Sequence, residues 1–141
     1  MPGHIARRSR AREVALQVLF QDDMNPTDAG NDTLRFLQAR LKNDDLIAFA
    51  RSLVDGVRRN RTELDGMLAK IAANWSLDRM AATDRNVLRL GAFEIVYSDT
   101  PNRVAINEAV ELAKRYGSRH SAQFVNGILD KFLEGSRGSQ Q

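Results

Sequence analysis

Two short stretches hold the side chains best suited to chemistry in this sequence. The first, "ARRSRAREVALQVLF", gathers Arg7, Arg8, Arg10 and Arg12 at the head of a segment that soon turns apolar. The second, "KRYGSRHSAQF", sets Lys114, Arg115, Arg119 and His120 among the rings of Tyr116 and Phe124. A guanidinium group binds phosphate through paired N–H donors and also stacks on bases, which suits RNA. Cations interleaved with aromatic rings make a platform for single-stranded nucleic acid, with charges on phosphates and rings on bases. The bland readings are a basic terminus without a role and, for Tyr116 and Phe124, core packing. Phe124 also falls on an apolar helical stripe.

Position weighs against the bland reading of the arginines. Ala11, Val14, Ala15, Val18 and Leu19 recur at i, i+3, i+4, i+7 and i+8, the spacing of one buried helical face. The arginines then stand near the positive pole of that helix, where a cation costs about 0.3 to 1 kcal/mol. Arg8 and Arg12, four apart, also repel each other. An anionic partner reverses both penalties. On this reading, removing Arg8 and Arg12 together leaves folding intact or slightly improved while nucleic-acid binding falls.

Catalysis finds little support. The chain has no cysteine, which removes disulfides, thiolate metal sites and cysteine nucleophiles. Its two histidines, His4 and His120, lie far apart and belong to no metal-ligand spacing. Glu108 and Glu111 share a helix face, but Lys114 and Arg115 follow Glu111 by three and four, as in a solvated face laced with ion pairs. There is no glycine-rich phosphate loop, no His-Glu-x-x-His and no nucleophile elbow. A binding protein without metal or cofactor is the expected class, and not an enzyme.

The elements that must position these residues are helices. The chain of 141 residues, 43% hydrophobic and 28% charged, suits one domain, expected over residues 1–134. A net charge of +3 and a pI near 9.7 permit nucleic-acid binding without establishing it. No apolar run approaches the roughly 18 residues of a membrane span, and the basic N-terminus lacks a following apolar signal segment, so a cytoplasmic protein is expected.

After the first helix, "QDDMNPTDAGND" reads as a loop. Leu34, Leu37 and Leu41 mark a second helix capped by Asn31 or Asp32, and residues 45–59 a third. "TELD" from Thr62 resembles a capping box for a fourth helix carrying Leu64, Leu68, Ile71, Ala72 and Trp75. Residues 83–98 are apolar almost all round, which predicts a central, buried fifth helix with Arg85, Arg89 and Glu94 as its few polar positions. Pro101 separates it from a sixth helix over residues 104–116, with Gly117 suited to a left-handed cap. The seventh, over residues 121–133, buries Phe124 or Val125 together with Ile128, Leu129 and Phe132. The tail 135–141 has no apolar residue and is expected to be disordered. No strand pattern appears. The fold class is all-α, with about seven helices.

At this level the whole chain resembles the NusB family of bacterial transcription antitermination factors. The resemblance rests on "RSRAREVALQVLF", "LVDGVRRNRTELD", "DRNVLRLGAFEI" and above all "VAINEAVELAKRYGSRHSAQFVNGILDK". It implies two packed helical subdomains, no enzymatic activity, and binding of boxA RNA together with NusE, the small-subunit ribosomal protein. It further implies action in the RNA polymerase antitermination complex, notably on ribosomal RNA operons. The family's arginine-rich motif falls on Arg7, Arg8, Arg10 and Arg12, with Ser9 interrupting a run more continuously basic in some members. Its aromatic positions fall on Tyr116 and Phe124. Asn126 is expected to tie helices together through buried hydrogen bonds, and Asn107 and Glu108 to be structural. Family members include monomers and homodimers. Three other readings stay in view: the NusB-like domain of some ribosomal RNA cytosine methyltransferases, whose catalytic cysteine is missing here; a helix-turn-helix DNA regulator, in which an arginine-rich first helix is oddly placed; and a plain helical interaction module.

Overall fold

The computed structural model describes residues 2–26, 32–72 and 75–139, and the side chains within 7–26, 32–72 and 75–136. Seven α-helices follow in order: α1 Pro2–Met24, α2 Thr33–Arg40, α3 Asp44–Arg59, α4 Arg61–Ile71, α5 Ala82–Tyr97, α6 Asn102–Tyr116 and α7 Ser121–Ser139. A 3-10 turn, Leu77–Arg79, precedes α5, and there is no strand among the described residues. The chain divides into two units, residues 1–58 and 59–141.

In the first unit the apolar stripe of α1 is buried as its spacing requires: Ala11, Val14, Ala15, Val18 and Leu19 are all inaccessible, and α1 packs on α2. Two details differ from the sequence reading. Helix α1 begins at Pro2, so the arginines lie one to three turns inside it, where the helix dipole has largely faded. It also continues through Met24, beyond the expected start of the loop, because Asp22 is engaged. Arg58 Nε and Nη2 donate to the two Asp22 carboxylate oxygens at 2.7 and 2.8 Å, and Nη1 donates to Thr33 Oγ1 at 2.9 Å. That one guanidinium ties the ends of α1, α2 and α3, and the hydrogen bond with Asp22 raises its pKa against the opposing effect of burial.

Caps depart from expectation as well. Asp32 precedes α2 in a left-handed conformation (φ 58°) without a side-chain cap, and Asn31 lies outside the described residues. Asn43 does cap α3, its Oδ1 accepting from the Asp45 and Leu46 N–H groups at 2.8 and 3.2 Å. The expected box at Thr62 does not form. The chain turns at the single residue Asn60, whose carbonyl accepts from Leu64 N–H, so Thr62 already lies inside α4.

The second unit is organised around α5, which packs on α4, α6 and α7. Val87, Leu88, Leu90 and Ala92 are fully enclosed. A Cβ at Gly91 would come within 2.8 Å of Leu129 Cδ1 and 3.3 Å of Ala109 Cβ, so the bare backbone there sets how closely α6 and α7 approach. Arg85, Arg89 and Glu94 of α5 each have identified partners. Arg89, 4% exposed, donates from Nε and Nη2 to the Asp65 carboxylate on α4 at 2.7 and 2.9 Å, and from Nη1 to Asn86 Oδ1. Glu94, 1% exposed, accepts from Thr100 Oγ1 at 2.9 Å and so fastens the turn into α6. Arg85 Nη1 donates to the carbonyls of Leu77 and Met80, both at 3.0 Å, holding the 3-10 turn onto α5.

Three further expectations need correction. Trp75 is 59% exposed and is not part of the core, because α4 ends at Ile71 before its stripe reaches that residue. Gly117 has extended rather than left-handed backbone (φ −93°); a side chain there would collide with Ser121 and the Ala113 carbonyl, so close approach explains the glycine. Asn126 is exposed and, among the described residues, pairs along its own helix with Asp130 at 3.4 Å. Of the tail 135–141, expected to be disordered, residues 135–139 are described as the end of α7, and 140–141 lie outside the described residues.

Removal of buried groups around α5 should dominate stability. Phe93→Ala should cost about 3 to 5 kcal/mol, and Arg89→Met, which strands Asp65 and Asn86, on the order of 3 kcal/mol. Trp75→Ala should cost no more than about 1.5 kcal/mol, the worth of one aromatic pair. Denaturant titration of the three variants checks this ranking, and equal losses would contradict the placement of α5 at the centre.

Candidate nucleic-acid interface

The sequence-derived cations fall in both units, Arg7 to Arg12 on α1 and Lys114 to Phe124 at the α6–α7 turn. Within α1 the four arginines are not equivalent. Arg7 is exposed and has no ion-pair partner among the described residues. Arg10 is half exposed and paired with Glu13 at 3.0 Å. Arg8 and Arg12 both face the ring of Phe49 on α3, with guanidinium carbons 4.4 and 5.1 Å from its centroid. Arg12 is only 3% exposed. The i,i+4 repulsion between them is therefore offset by a shared quadrupole, each cation gaining the attraction of the same ring. An anionic partner is not needed to explain this pair. Arg12 is a structural residue here, contrary to its expected place in an open binding motif, because its side chain is enclosed before any ligand arrives.

The turn between α6 and α7 presents its groups differently. Lys114, Arg115, Tyr116, Arg119 and His120 are all exposed, and Tyr116 retains 39% of its surface. Lys114 reaches Glu111 at 3.3 Å on an open face, a pairing worth little in water. Arg119 and His120 have no ion-pair partner among the described residues. The turn itself is rigid in construction. Ser118 N–H donates to Ser121 Oγ at 2.9 Å, the two hydroxyls lie 3.2 Å apart, and Phe124 N–H closes the first turn of α7 on the His120 carbonyl. Val125 takes the core position on α7 and is fully buried, which leaves Phe124 half-buried beside the turn. Its ring meets Trp75 edge to face, with centroids 5.6 Å apart and planes at 73°.

Sequence reasoning missed Trp75 and Arg79, both exposed on this side of the second unit. The signal was present in "NWSLDR", whose helix-breaking composition frees a tryptophan from the apolar stripe. Asn107 is exposed and Glu108 half-buried. Among the described residues no group of three His, Asp or Glu side chains is disposed to hold a metal ion, and no helix is long and apolar enough to cross a membrane.

The division of labour among the arginines has a measurable consequence. Arg12→Ala should lower stability by about 1 to 3 kcal/mol, reversing the expectation that its loss is neutral, while Arg7→Ala should leave the melting curve where it is. In a double-mutant cycle Arg12→Ala and Phe49→Leu should be non-additive. Additive effects would mean that the ring does not hold the guanidinium.

Comparison with known proteins agrees with this architecture. The NusB family profile matches residues 9–134. The transcription antitermination protein NusB of Anaeromyxobacter dehalogenans is 45% identical over 131 residues, covering 92% of each chain. Among solved structures, NusB of T. maritima superposes with a TM-score of 0.80 at 35% identity, over 90% of both chains. A structure of the antitermination factors NusB and NusE in complex with double-stranded RNA matches with a TM-score of 0.82 at 32% identity, over 92% of this chain and 98% of that one. With seven helices in the same arrangement and a family match across nearly the whole chain, the protein belongs to the NusB family of transcription antitermination factors, which are not enzymes.

Proposed function

We propose that this protein binds single-stranded boxA RNA together with the small-subunit ribosomal protein NusE, and so promotes processive transcription of ribosomal RNA operons within the RNA polymerase antitermination complex. It acts in the cytoplasm. The observation that carries the reading is the α6–α7 turn, where exposed Lys114, Arg115, Arg119 and His120 surround the open ring of Tyr116 and the half-buried ring of Phe124. Such a mixture matches what single-stranded nucleic acid requires. Arg7 and Arg10 supply further phosphate contacts from α1. Arg8, partly exposed, offers its open surface to the RNA while its guanidinium faces the Phe49 ring, which Arg12 also faces. The solved relative bound to NusE and double-stranded RNA supports NusE and RNA as the classes of partner.

Phosphate contacts and stacking separate by their salt dependence. Each lost phosphate contact should flatten the plot of log affinity against log salt by about 0.7, the single-strand value. Arg7→Ala and Arg119→Ala together should therefore reduce the slope by up to roughly 1.4. Tyr116→Ala should weaken binding by about 1 to 3 kcal/mol with the slope nearly unchanged. Binding of boxA RNA should also tighten when NusE is present, by a coupling of about 1 to 3 kcal/mol. The measurement is a salt titration of RNA binding with and without NusE. Wild-type slope and affinity in both variants would rule out this interface.

A further inference from the structure

Beside the α6–α7 turn the second unit holds an open groove of about 400 Å³ whose walls include Trp75, Arg79, Met80, Asp84, His120 and Phe124. Trp75 is the chain's single tryptophan, and with 59% of its surface open it is the most exposed large apolar side chain among the described residues. Leaving so much aromatic surface in water is unfavourable in the free protein, at about 25 cal/mol per Å² of apolar area. Its position is nonetheless fixed. The Arg85 guanidinium holds the carbonyls of Leu77 and Met80, which anchors the segment just after Trp75, and the Phe124 ring meets the indole at 73°. Two rings near a right angle form a corner. A flat group can stack on the open indole face while its edge meets the second ring.

The charges around the corner indicate which flat group fits. Arg79 and His120 are exposed at the rim, and neither has an ion-pair partner among the described residues. Asp84 lines the groove, and its Oδ1 is buried without a hydrogen-bond partner among the described residues. A carboxylate in the wall repels phosphate, so the anionic backbone stays at the cationic rim. An apolar side chain of a protein would leave the polar groups of Arg79 and His120 at the rim unanswered.

Resting on the RNA reading above, we propose that Trp75 and Phe124 form a pocket for one unstacked base of the single-stranded RNA, with Arg79 and His120 contacting the flanking phosphates. The site extends the platform at Tyr116 by one nucleotide position, and Trp75 and Arg79 become RNA-contacting residues.

The single tryptophan makes the test direct. Emission of the full-length protein is followed while a short single-stranded boxA RNA is added, and the anisotropy of the same RNA carrying a dye is measured in parallel. Trp75 emission should be quenched with the same dissociation constant that anisotropy reports. Trp75→Ala should weaken RNA binding roughly five- to hundredfold with little change in salt slope, Trp75→Phe should restore most of it, and Arg79→Ala should lower the slope by about 0.7. Far-UV spectra of the exposed-site variants should match wild type. RNA binding that leaves tryptophan emission and the Trp75→Ala affinity unchanged overturns the pocket alone, as does a Trp75→Ala variant that loses only NusE. A wild-type protein that binds no RNA by anisotropy overturns the functional reading, and the pocket with it.

Discussion

The buried stretch of α5 over residues 86–94 needs internal partners for its charged groups, and with Arg85 beside it the helix finds them in three places. Arg89 is matched by Asp65, Glu94 by Thr100, and Arg85 by the carbonyls of the 3-10 turn. An unmatched ion at any of these depths would cost several kcal/mol, more than a domain of this size can lose lightly. These pairings do more than balance charge. Each fastens a different neighbour to α5: helix α4, the turn into α6, and the segment bearing Trp75 and Arg79. The exposed side chains of the second unit hold their places because their supporting backbone is tied to buried ions.

The arginines of α1 show how one residue type can be divided between support and contact. Phe49 captures Arg8 and Arg12 through its ring face, so a pair that repels in isolation becomes a stable arrangement around a shared aromatic. Arg10 is shared with Glu13, and Arg7 alone of the four is exposed without an ion-pair partner among the described residues. Charge counted along the sequence overstates what is available to a ligand, since burial and pairing remove part of it before binding begins.

Much of the fold was legible in the sequence. The stripe on α1 was read correctly, and the apolar circumference of residues 83–98 marked α5 as central, although Val96 and Tyr97 near its end are exposed, because burial leaves a periodic record in composition. The exposed cluster at the α6–α7 turn was legible too, since charges interleaved with rings have few structural uses. Caps were not. The box at Thr62 and the left-handed glycine at position 117 depended on where a helix starts or stops to within one residue, and local chain geometry settled both differently.

By itself, then, the sequence determined the helical class and the helix count, which follow from residue types and their periods along the chain, while the family followed from the resemblance of whole motifs. Only the tertiary structure decided which members of each cluster face solvent. Arg12 went under Phe49, Val125 displaced Phe124 from the core, and Trp75 emerged from a helix that ends four residues before it. Those outcomes turn on which side chain from a distant segment arrives at each position, and a one-dimensional pattern holds no record of that arrival.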